Sequence, residues 1–89
     1  MTINEILEKR KEICGDERLV TYDIDDIRDE EVIYYNVRCK YKGGVDDEKS
    51  TRILGNLIFF TIGLCHDLGY DVEECIEMAI ENQRKIRTE

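Results

Sequence analysis

The sequence predicts an all-α single domain spanning residues 1–89, on three observations. A capping box opens an apolar stripe near residue 2, a long apolar run at helical spacing fills residues 53–68, and a second capping box opens a final amphipathic segment near residue 71. A chain of 89 residues supports one modest core, and domains this small often gain stability by oligomerising.

The first element begins at Thr2-Ile3-Asn4-Glu5, where a Thr and a Glu three residues on can satisfy each other's backbone N–H groups. Ile3, Ile6, Leu7, Arg10 and Ile13/Cys14 follow at helical spacing until Gly15 supplies a stop, which predicts a helix over 3–14. The stretch from Asp16 to Lys42 supports two readings. Ile33, Tyr35, Val37, Cys39 and Tyr41 alternate with polar residues as a half-buried strand would, and 18–24 would be its hairpin partner. Alternatively, Ile27, Glu31, Tyr34, Arg38 and Tyr41 share one stripe of a helix beginning near Asp25 and ending at Gly43-Gly44. Local β-propensity favours the hairpin at about 18–42, giving an α+β fold, and spacing permits the helix.

Asp46-Asp47-Glu48 then places negative charge at a helix N-terminus, where the macrodipole favours it. The helix runs through Ile53, Leu57, Ile58, Leu64 and Leu68 to Gly69, and it is apolar nearly all round between Leu57 and Leu64. That pattern belongs to an element covered on several sides, a second subunit included. Asp71-Val72-Glu73-Glu74 opens the last helix, whose stripe is Val72, Cys75, Ile76, Ala79, Ile80, Gln83 and Ile86, and the short link after Gly69 predicts an antiparallel pair. There are no prolines, repeats or low-complexity linkers to mark a domain boundary.

With 21 acidic against 13 basic residues the net charge is −8, which disfavours nucleic acid, since binding it relies on Lys and Arg neutralising phosphates. The acidity suits a solvated surface or a basic protein partner. No apolar run reaches the roughly 18 residues of a membrane span, and residues 1–5 lack the pattern of a signal peptide, so the expected location is the cytoplasm. Cys14, Cys39, Cys65 and Cys75 contain no CxxC pair and are expected as reduced, partly buried thiols. His66 is expected at a helix end, outside any metal site.

At Leu54-Gly55-Asn56-Leu57-Ile58-Phe59, followed by Leu68-Gly69-Tyr70-Asp71-Val72-Glu73-Glu74, the sequence resembles the MazG-like all-α nucleoside triphosphate pyrophosphohydrolases, including small phage-type members. Lys42-Gly43-Gly44-Val45-Asp46-Asp47-Glu48-Lys49 resembles the loop before that family's third helix, and Arg84-Lys85 its basic C-terminal stretch. The resemblance implies a four-helix subunit that dimerises through the third helix, with ExxE and ExxD carboxylates holding Mg²⁺ around a triphosphate. Carried over by position, ExxD falls on Ile53 and Asn56, and ExxE on Arg28 and Glu31; a register slip would bring in Glu30 or Asp29. The family's substrate-contacting Asn and Lys fall on Ala79 and Asn82.

The implied ligand site is therefore degenerate: Glu31, Asn56, Arg28, Arg84 and Lys85, with Glu31 and Asn56 the remaining metal donors and no catalytic residue assigned. The function this implies is a non-catalytic MazG-like binding protein, phage or mobile-element encoded, without a cofactor. It would be a homo-oligomer engaging a host protein or a nucleotide-like ligand. The alternatives are an active Mg²⁺-dependent pyrophosphohydrolase and an acidic α+β interaction or inhibitor module.

Overall fold

The computed structural model describes residues 1–15, 20–35 and 47–88, which form four helices: α1 (Ile3–Cys14), α2 (Val20–Tyr35), α3 (Asp47–Asp67) and α4 (Val72–Thr88). Among the described residues there is no strand, so the fold is all-α. The hairpin reading of 18–42 is corrected over residues 20–35. These are helical because α2 packs along α3 more extensively than any other pair of helices, and that tertiary contact overrides local β-propensity. The helix also begins earlier than Asp25. The later strand positions and the Gly43-Gly44 stop lie outside the described residues.

α1 forms as its sequence dictates. The Thr2 hydroxyl accepts from the Glu5 N–H at 3.1 Å, the Glu5 carboxylate accepts from the Thr2 N–H at 3.3 Å, and Gly15 ends the helix at φ +86° while donating to the Lys11 carbonyl. At the other end of the chain, Gly69 takes φ +80° after α3, and the Asp71 carboxylate caps α4 by accepting from the Glu74 N–H at 3.0 Å.

α3 is the central helix, in contact with all three others. It contributes Ile53 and Ile62 to a small core that Val72 of α4 completes. The predicted antiparallel pairing of α3 and α4 is corrected. The chain direction turns by 112° between Glu48–Asp67 and Val72–Thr88 instead of reversing, so α4 diverges and touches α3 little. The stripe read on α4 is correspondingly open: Ile76 is 49% exposed and Ile86 58%. α3 is likewise uncovered on one side, with Ile58 62% exposed. No single described helix is long and apolar enough to cross a membrane.

Candidate functional site

Two polar arrangements lie between the helices. The first is centred on Arg10, which sequence periodicity places in the apolar stripe of α1 and which is buried there. Its Nη1 and Nη2 donate to the two Asp67 carboxylate oxygens at 3.2 and 2.7 Å, and Nη2 also donates to Asp23 Oδ1 at 3.1 Å. The Arg10, Asp23 and Asp67 side chains are 7%, 1% and 10% exposed. One guanidinium thus ties α1 to the first turn of α2 and the last residue of α3. A bidentate, planar fork suits this task as an ammonium would not. Gly63 makes room for it, because Arg10 crosses α3 one turn before Asp67, and a Cβ at residue 63 would overlap Arg10 Nε, Cζ and Cδ.

Two carboxylates share one cation, and their proton affinities separate as a result. Burial pushes the Asp23 carboxyl up from its usual value, with the neighbouring Asp67 adding to the rise and Arg10 opposing it. Hydrogen bonds from Arg10 hold the Asp67 carboxyl below its usual value against the cost of burial, and the Asp67 bond in turn raises Arg10. The native state therefore holds the Asp23 proton to higher pH than the unfolded chain does, so this contribution to stability falls as pH rises through the folded Asp23 value. Asp67 acts in the opposite sense. Its contribution is present above the ordinary carboxylate range and is lost as pH falls through its lowered folded value. The triad accordingly favours a stability maximum on the acid side of neutrality.

The second arrangement is the α2–α3 crevice, where the degenerate site was expected. Ile53 is 3% exposed and packs as core. Asn56 faces α2, but its Nδ2 donates to Glu30 Oε1 at 3.3 Å, so the register brings Glu30 to Asn56 in place of Glu31. Glu31 is exposed and has no hydrogen bond or ion pair among the described residues. Arg28 turns outward and pairs with Asp25 at 3.0 Å, both well exposed. Arg84 and Lys85 lie exposed on α4, Arg84 against Glu81 at 3.8 Å, and no hydrogen bond or ion pair joins them to Asn56. The structure brings together Asn56 and Glu30 alone of the residues considered for the site.

Comparison with protein-family models, curated proteins and solved structures finds no match to this chain.

The fit of the crevice to Mg²⁺ is poor on its donors. A hard cation needs several oxygen ligands, whereas Ile53 offers none and the Asn56 amide is turned with its N–H₂ toward the Glu30 carboxylate. Among the described residues no three His, Cys, Asp or Glu side chains are placed to hold a metal ion. Nearby on α3, Ser50 Oγ is buried without a hydrogen-bond partner among the described residues.

One cleft of about 400 Å³ lies beside the triad, between Leu7, Lys11 and Gly15 of the α1 end and His66 of α3. An apolar one, also about 400 Å³, lies in the angle between α3 and α4, against Ile58, Ile62, Cys65, Cys75, Ile76 and Ala79. Sequence reasoning missed the triad because its members lie 13 and 57 residues apart. Two signals were present. Arg10 interrupts an apolar stripe, and Gly63 stands one turn before Asp67 on a helix otherwise rich in large side chains.

Proposed function

We propose that the protein is a non-catalytic, MazG-like helical binding protein that works in the cytoplasm as an assembly of identical subunits and engages a protein partner through that assembly. The observation that carries the non-catalytic half is the α2–α3 crevice, in which buried Ile53 and an Asn56–Glu30 hydrogen bond stand where the resemblance implies metal-binding carboxylates. Hydrolysis of a triphosphate needs its charge neutralised and an attacking water oriented, and this crevice is built for neither.

The binding half rests on uncovered apolar surface. Leu54, Ile58, Ile76, Ile80 and Ile86 are all exposed on α3 and α4, and α4 is held to the rest of the molecule mainly at its first turn. A standard interface removes about 800 Å² from each partner, and a second copy of the chain laid over the α3–α4 angle would cover these exposed side chains.

Sedimentation velocity over roughly 1 to 100 μM protein tests this, at concentrations that bracket a micromolar dissociation constant. The wild-type chain is expected as a dimer or larger, and Ile76→Glu and Ile80→Glu, which place charge in the apolar face, are expected as folded monomers. A wild-type monomer throughout, or folded variants that assemble as the wild type does, would overturn the assembly.

A further inference from the structure

We propose that Cys65 and Cys75 are a redox pair that closes into a reversible disulfide, stapling α4 to α3 across the turn between them. The proposal does not depend on the binding role above. The two thiols come from facing elements, Cys65 from the end of α3 and Cys75 from the first turn of α4, and they line one cleft. Both line the apolar cleft in the α3–α4 angle, and both are partly exposed free thiols.

The turn that brings them together is well determined. The Tyr70 N–H donates to the Cys65 carbonyl at 2.9 Å, the Cys75 N–H donates to the Asp71 carbonyl at 3.0 Å, and Gly69 supplies the left-handed residue between. Each cysteine is therefore tied by its own backbone to the turn residues, so both sulfurs belong to the same short turn. Cys14 on α1 is the other described free thiol and has no such partner.

Burial and the neighbouring Cys75 sulfur together keep the Cys65 thiol protonated to higher pH than usual. In the proposed sequence Cys75 reacts first and Cys65 second. The Cys75 sulfur attacks hydrogen peroxide, forming an S–O bond as the O–O bond breaks and leaving Cys75 as a sulfenic acid, while the released hydroxide takes up the thiol proton as water. Cys65 sulfur next attacks the Cys75 sulfur, the S–S bond forms, and the sulfenic oxygen leaves as water with the Cys65 proton. In total, two thiols and one peroxide give one disulfide and two waters. The consequence for the fold is local. α4 has little else joining it to α3, so a covalent staple at its first turn restricts the angle at which its apolar face is presented.

The test treats the full chain with hydrogen peroxide, alkylates remaining thiols, and digests it in two ways. Cleavage after Lys and Arg leaves both cysteines on the single peptide 53–84, which is expected lighter by two hydrogens and unalkylated. Cleavage after Glu cuts at Glu73 and Glu74, and the two halves are expected to stay joined until a thiol reductant separates them. The same product is expected when Cys14→Ser and Cys39→Ser are combined. Cys65→Ser is expected to leave Cys75 as a sulfenic acid trapped by dimedone, with Cys65→Ala as a second variant if the serine fails to fold. Oxidation that instead consumes Cys14 or Cys39 while Cys65 and Cys75 remain alkylated, or that links separate chains through Cys65 or Cys75, would overturn the proposal.

Discussion

Arg10→Met is expected to lower the stability of the folded chain by about 3–5 kcal/mol, the cost of leaving a buried charge without its partner. The substitution keeps most of the apolar stem that passes Gly63 and removes only the guanidinium, so lost packing is a minor part of the effect. What remains is two carboxylates, 1% and 10% exposed, that have lost the guanidinium they share. For a domain of 89 residues, whose total stability is on the order of 5–10 kcal/mol, much of the population unfolds. Urea melts followed by helical circular dichroism read the loss directly. Run across a pH series, they also test the sign argued above, since the Asp23 contribution to stability is expected to grow as the pH falls through its raised folded value. The triple variant Arg10→Met, Asp23→Leu, Asp67→Leu is expected to recover most of the stability, because replacing a whole buried ion network with apolar groups of similar volume is often neutral or stabilising. An Arg10→Met chain as stable as the wild type would mean the triad holds nothing together.

Gly63→Ala is expected to destabilise by about 1–2 kcal/mol, the overpacking cost exceeding the gain of about 1 kcal/mol that helix propensity alone predicts. Sterics decide the sign. The added methyl would lie 2.6 Å from Arg10 Cζ and closer still to Nε, and the guanidinium cannot swing away without breaking its paired bonds to Asp67. Gly55 on the same helix is the internal control. Nothing lies within 4 Å of a Cβ built there, so Gly55→Ala is expected to stabilise by roughly 0.5–1 kcal/mol. Thermal melts of the two variants side by side are expected to shift in opposite directions. Equal shifts would show that Gly63 is not an opening for Arg10.

Much of the fold was legible because the signals were local. The Thr2/Glu5 box, Gly15, Gly69 and the Asp71 cap act within a few residues of themselves, and α1 begins and ends, α3 ends and α4 begins where those residues stand. α2 was ambiguous because its apolar residues follow no clean helical stripe. Ile24, Val32, Ile33 and Tyr35 are exposed, and the helix is held by what it packs against on α3. The α3–α4 angle was not legible either: a short Gly-containing link permits reversal without requiring it, and the apolar stripe on α4 reads the same whether its cover is α3 or another chain. In the crevice, the position of Ile53 was readable, but the pairing of Asn56 with Glu30 depends on a side-chain register between helices 26 residues apart. The placing of Cys65 and Cys75 on one cleft was hidden for the same reason, since their spacing matches no short cysteine motif and the turn brings both to the α3–α4 angle.

The central claim, that the α2–α3 crevice does not hydrolyse a nucleoside triphosphate, is tested most directly by pyrophosphate release from a panel of nucleoside triphosphates in the presence of Mg²⁺ or Mn²⁺. With Ile53 buried and Asn56 bonded to Glu30, release is expected to stay at the uncatalysed rate for every nucleotide and either metal. Metal-dependent release by the wild-type chain that Glu30→Gln or Glu31→Gln abolishes would contradict the account and make the crevice an active site.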